Sequence, residues 1–267
     1  LGRHSIRKIG FFLWRLQSNP LVAVTPRGVA GQPQGFHFSP LGVAAPLFTN
    51  PEAPPGGARA EEANLPAPIR PLALRFDLCA ATGDRSRYYG PDSYHSVAVA
   101  VGDPDAPFGS PELPVIPASA VTVCDLATWQ RPPGGRDVAL DPVRGRLTLS
   151  TAAEPAAGEA VRVSYGYGFS GGAGGDLGGG PYDRRLTLSQ PADEDFRAVV
   201  AVLEPDELPD GASWHSTLGT AIAEWLGLPS RPRRAVVEIR DNATYAEPLL
   251  DPLPEGAILE IRARNRR

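Results

Sequence analysis

Hydrophobic and polar positions alternate with a period of two over short runs in the middle of the chain. Tyr94-His95-Ser96-Val97-Ala98-Val99-Ala100-Val101 alternates and stops at Gly102-Asp103-Pro104, which predicts a strand and a turn. Val121 to Leu126 predicts a second strand. Asp137-Val138-Ala139-Leu140 and Arg146-Leu147-Thr148-Leu149 flank Asp141-Pro142-Val143-Arg144-Gly145, so they predict a hairpin. Ala160 to Tyr167 adds a further strand. Short strands at this spacing predict an antiparallel β-sandwich-like or barrel-like module over residues 65–190.

The flanking regions follow other patterns. Residues 5–18 fit a short helix or a strand, with Ile6, Ile9, Phe12, Leu13 and Leu16 on one helical face and Asn19-Pro20 as the stop. So apolar a segment must dock, either on the chain's own core or on a partner subunit. Ile9, Phe11, Phe12, Trp14 and Leu16 are the candidate partner-interface residues. Residues 19–71 are Pro-rich and predict an extended arm, with residues 52–63 its loosest part. Gly166 to Gly180 is dominated by glycine and predicts a loop. Beyond it, Phe196 to Leu203 predicts a strand, Glu204 to Asp210 an acidic loop, and Ser213 an N-cap. Trp214, Leu218, Ala221, Ile222 and Trp225 then share a helix face that ends at Gly227. Ala235 to Ile239 and Ile258 to Arg262 predict two more strands. The domain division is a docking segment and Pro-rich arm over 1–64, the β-module over 65–190, and a third unit over 191–267.

Composition narrows the function classes. The 29 Gly and 30 Pro exceed average usage without a collagen period, which fits many turns and extended segments. A net charge of −4 lacks the basic field of a nucleic-acid binder. Arg231-Pro232-Arg233-Arg234 and the terminal arginines are basic but carry no aromatic residue for base stacking. Lys8 is the only lysine, which reads as genome composition; there is no Met, so either the start was removed or this is an internal fragment. No apolar run reaches the ~20 residues of a membrane span. Cys79 and Cys124 both sit in strand-like apolar runs and read as buried thiols, with a single disulfide left open. No His or Cys has ligand spacing, so no metal is expected.

Two formal enzyme motifs overlap in the Gly-rich stretch. Gly166-Tyr167-Gly168-Phe169-Ser170-Gly171 matches the dinucleotide fingerprint, but more glycine follows where a helix N-terminus is needed. Gly168-Phe169-Ser170-Gly171-Gly172 matches the nucleophile elbow, which also needs a following helix and a His. Neither His95 nor His215 shows an orienting carboxylate in sequence, and His4 and His37 complete the inventory. The acidic residues Asp193, Glu194, Asp195, Glu204, Asp206, Glu207 and Asp210 lack the alternation of a calcium loop and read as solvated charge. No catalytic residue, cofactor or metal site is expected, and the chain is read as a non-enzyme. Asn242-Ala243-Thr244 is a formal sequon, read here as a turn.

Two stretches carry a resemblance. Ala221-Ile222-Ala223-Glu224-Trp225, Ala235 to Ile239, Asp241-Asn242-Ala243-Thr244-Tyr245, Pro248-Leu249-Leu250 and Leu253 to Ala263 resemble the first coil of a pectate-lyase-like right-handed parallel β-helix. The resemblance implies a capping helix, a strand, an Asp-x-x-x-Tyr turn and the next strand, with further coils after Arg267. Tyr88-Tyr89-Gly90-Pro91, Val123-Cys124-Asp125-Leu126, Trp129, Asp141 to Arg146, Val163 to Phe169 and Gly178 to Arg184 form the second set, with Ile9 to Leu16 and Phe38 to Gly42. It resembles large bacterial proteins associated with phage-tail-like contractile injection systems. The resemblance implies a structural tail or baseplate-associated component, oligomeric among other subunits, assembled in the bacterial cytoplasm and released as an extracellular particle. The alternative is the anchor segment of a carbohydrate-binding or polysaccharide-degrading β-helix tail protein.

Overall fold

The fold is mainly β. The computed structural model describes residues 14–52, 56, 59–80, 86–92, 95–172, 188–245, 247 and 252–264. In chain order the first strands are β1 (Trp14–Val24), β2 (Arg27–Val29), β3 (Gln32–His37) and β4 (Leu47–Phe48). Helix α1 (Pro71–Ala80) precedes β5 (Val97–Gly102), β6 (Val121–Val123), β7 (Val138–Asp141), β8 (Arg146–Leu149) and β9 (Ala160–Gly172). The last elements are β10 (Phe196–Val200), β11 (Ala212–His215), α2 (Leu218–Gly227), β12 (Arg234–Ile239) and β13 (Ile258–Ala263).

Long strand β9 organises the first sheet. β1 lies antiparallel along one edge, from Trp14 opposite Gly172 to Val24 opposite Val163. β5 and β4 pair end to end along the other. The second sheet has the order β2-β3-β8-β7-β6; only its β6–β7 pair is parallel. Both sheets and α1 feed one apolar core. Val97, Val99, Val161 and Val163 enter it from the first sheet, Val138, Leu140, Leu147 and Leu149 from the second, and Leu74 and Leu78 from α1. The third sheet, β11-β10-β12-β13, is wholly parallel. Its core is separate: Phe196, Ala198, Val200, Ala235 and Val237 pack on Leu218, Ala221 and Trp225 of α2.

Several local expectations are corrected. Within residues 5–18 the described part is strand, and Asn19-Pro20 does not stop it: β1 runs on to Val24. Among the described strands β1 pairs with β9 alone, so it is an edge, where a proline's missing N–H costs no ladder bond. Residues 19–71 are not irregular throughout. β2 and β3 form a hairpin whose turn needs Gly31 at φ 75°, and β3 pairs with β8. The glycine stretch is a loop neither at Gly166 nor at Gly172, because β9 extends through both. Residues 173–180 lie outside the described residues. Phe48 explains two of these glycines: a Cβ at Gly168 would overlap its ring, and one at Gly166 its carbonyl oxygen. Bare backbone here lets an aromatic ring pack close against a strand.

Residues 71–80 form a helix, not part of an all-β run. Pro71 opens it, where a missing N–H is harmless, and Leu74 and Leu78 recur at helical spacing. Cys79 therefore sits on a helix and is exposed, not buried; Cys124 is half-buried, and both thiols are free. Ser213 is not the N-cap of α2. Parallel pairing with β10 draws Ala212–His215 into β11, and Trp214 with it. Thr217 caps instead, its hydroxyl accepting from the Thr220 amide at 3.2 Å. The Glu247 carboxylate takes the Leu218 and Gly219 amides at 2.9 and 2.6 Å.

Candidate functional site

Of the expected partner-interface residues, Ile9, Phe11 and Phe12 lie outside the described residues. Trp14 begins β1, with its backbone opposite Gly172. Leu16 lies on β1 opposite Ser170 and is 46% exposed. Neither enzyme motif finds its required backbone. Gly168 to Gly172 is extended strand paired to β1, so Ser170 stands on no sharp turn.

The three described histidines, His37, His95 and His215, are held by structure. His95 is buried against Gly90; its Nδ1 accepts from the Asp92 amide at 3.1 Å and its Nε2 lies 3.0 Å from the Ser86 carbonyl. His37 packs edge-on to Trp129 at 5.0 Å, and burial, then the Arg146 charge, lowers its pKa. His215 does have a carboxylate neighbour that sequence reading missed. Glu224 of α2 lies 2.6 Å from its Nε2, and Ser213 Oγ is 3.0 Å from that nitrogen and 2.8 Å from Glu224. All three groups meet at one ring nitrogen. A relay needs the acid on one nitrogen and the nucleophile on the other, so this cluster ties β11 to α2 and does not activate Ser213. Its signal was the i, i+9 spacing of His215 and Glu224, which has meaning only once a strand and a helix are known to pack side by side.

A cleft of about 670 Å³ lies between the first and third sheets. One wall is the end of β1, the loop after β5, and Arg162 of β9. The other is made by the segments that follow β10, β12 and β13, the carboxyl ends of a parallel ladder. A bulge between Leu21 and Val24 puts Ala23 in the left-handed region at φ 56°. The Val22 carbonyl there accepts from Asn242 Nδ2 at 3.3 Å, which joins the two walls.

Asp241 builds the second wall. Its carboxylate accepts from the Val202 amide at 2.7 Å, the Ala243 amide at 3.1 Å and the Tyr245 hydroxyl at 2.9 Å. Burial and that carboxylate together push the Tyr245 pKa up. Asp241-Asn242 is thus a turn, as its sequence predicted, and the turn is closed by Tyr245. Arg162 is 8% exposed; its guanidinium donates to Thr25 Oγ1 and lies 3.4 Å from the Pro104 carbonyl. Burial pulls its pKa down, and the charges of Asp105 and Asp241 oppose that.

Among the described residues no group of three or more His, Cys, Asp or Glu is placed to hold a metal ion. Among them also, no helix is long and apolar enough to cross a membrane. Comparison with protein-family models, with curated proteins and with solved structures finds no match to this chain.

Proposed function

We propose that this chain is a structural, non-catalytic component of a phage-tail-like contractile injection particle, tail- or baseplate-associated, and that residues 191–267 begin a right-handed parallel β-helix. The observation that carries the reading is the parallel ladder of β10, β12 and β13. These strands stack in register, one face closed by α2 and the other lined by alternating charge. Among the described residues nothing pairs with the outer edge of β13. A coil with one open edge buries its ladder only against a further coil or subunit, which is the logic of a repeating assembly element. The likeness of Asp241 to Tyr245 and Leu253 to Ala263 to a β-helix coil points the same way.

In this reading the chain assembles in the bacterial cytoplasm among other subunits and leaves with the particle. Sedimentation of a lysate of the producing bacterium, followed by detection of this chain, tests it. The expected outcome is co-sedimentation with a large particle seen by electron microscopy. Recovery only as a free, small species would overturn the assembly reading.

A further inference from the structure

We propose that the cleft between the first and third sheets binds a small ligand through one compact oxyanion, a carboxylate or a phosphate, held by Arg162. The inference is independent of the assembly reading. Arg162 stands on β9 between Val161 and Val163, whose side chains enter the core, so its own side chain leaves by the opposite face. That face is covered by the loops at the cleft, and the guanidinium is buried there.

A buried guanidinium carries five N–H donors and a full charge. Thr25 and the Pro104 carbonyl take two donors, and both are neutral. Among the described residues no carboxylate stands within ion-pair distance of Arg162. The nearby acids Asp105 and Asp241 act on Arg162 through charge without an ion pair, and the Asp241 carboxylate also accepts from two amides and Tyr245. Burying a cation without a paired anion is costly, and such cations are paired in settled cores. Here the unpaired one lines a cleft of about 670 Å³, within the size range of small-molecule sites. The left-handed Ala23 at the same place is a second irregularity, a strained residue of the kind that collects at binding sites.

The cleft also limits the ligand. Its far wall carries Arg240 and Arg264, and also Glu204, Asp206 and Glu207. The carboxylates repel a polyanion, so nucleic acid and an anionic membrane surface are disfavoured. What fits is one oxyanion toward Arg162 and an uncharged remainder.

The test is a titration of the full chain, followed by NMR at the arginine Nε–H groups, with lactate, inorganic phosphate and, as an uncharged control, glycerol. The Arg162 signal is assigned by its loss in Arg162→Lys. The expected result is saturable movement of that signal with lactate or phosphate and none with glycerol. Movement with lactate alone assigns a carboxylate ligand, and with phosphate alone a phosphate ligand. Arg162→Gln is expected to bind the active probe about tenfold more weakly, the loss of one charge-assisted contact. No movement at Arg162 with either anion, or equal binding by a folded Arg162→Gln, would overturn the proposal. If Arg162→Gln does not fold, the wild-type signal decides alone.

Discussion

Asp141 and Gly168 show how differently single residues disclose their roles. Asp141 is 2% exposed, and its carboxylate accepts from the amides of Leu126, Val143 and Arg144 at 3.0, 3.0 and 3.1 Å. Arg144 Nη1 adds an ion pair at 2.9 Å. Three of these bonds are local, so the turn Asp141-Pro142-Val143-Arg144-Gly145 was legible from residue types. The bond to Leu126 was not, because it depends on two strands meeting. Asp141→Ala strands the buried Leu126 amide and is expected to cost about 2–3 kcal/mol in chemical denaturation, with Asp141→Asn costing less. Gly168 gave no local hint of its purpose, since the group that needs its bare backbone is the ring of Phe48, far away in sequence. Gly168→Ala is expected to cost about 1–3 kcal/mol by overpacking, measured the same way. A double variant with Phe48→Leu should recover part of that loss, because it removes the ring the new methyl would strike.

Among the elements, the β12–β13 pair carries the clearest pH signature. On its charged face Arg234 bridges Glu260 at 2.6 Å and Asp195 at 3.1 Å, while Arg262 reaches Glu260 at 3.4 Å and Glu238 at 3.5 Å. Burial alone would raise the Glu260 pKa. Hydrogen bonds from Ser189 and Arg234, with the charges of Arg234 and Arg262, outweigh it and leave the carboxyl below its ordinary value of 4.5. A carboxyl that is more acidic in the folded state adds stability above its unfolded value. That contribution is lost as pH falls from 4.5 through the lower folded value, because the unfolded chain takes up the proton first. Amide exchange of β13 is therefore expected to accelerate, relative to the rest of the third sheet, below pH 4.5, and Glu260→Gln is expected to flatten that dependence. Exchange in β13 that changes with pH identically in both proteins would refute the assignment. Helix α1 teaches a complementary lesson at this scale. Pro71 and the Leu74–Leu78 spacing are its local signal, and a β-module expected over residues 65–190 passes over it.

For the molecule as a whole, the decisive fact is that the described residues include two apolar core clusters that share no member. The third sheet depends on its own. Trp225 is fully buried there, and its Nε1 donates to the Pro232 carbonyl at 2.8 Å. Trp225→Ala is expected to remove about 3–5 kcal/mol from the C-terminal unit. Hydrogen exchange should then show β10, β12 and β13 opening while β5, β7, β8 and β9 keep their protection. Uniform loss of protection would mean that the two cores unfold as one.

The sequence by itself determined the mainly-β character, the β7–β8 hairpin, the end of α2 at Gly227 and the Asp241 turn. These follow from period-two alternation, turn chemistry and a terminal glycine, all of which act between near neighbours in the chain. Only the tertiary structure decided that β1 continues past Asn19-Pro20, that glycines 166 to 172 are strand, and that Ser213 belongs to β11 and not to α2. It alone placed Arg162 in the cleft with no carboxylate of the described residues at ion-pair distance. Each of these outcomes is set by a partner distant in sequence: β9 beside Pro20, Phe48 over Gly168, β10 beside Ser213, and the loops that close over Arg162. Edge position, close approach and burial arise from three-dimensional neighbours, and local pattern carries no record of them.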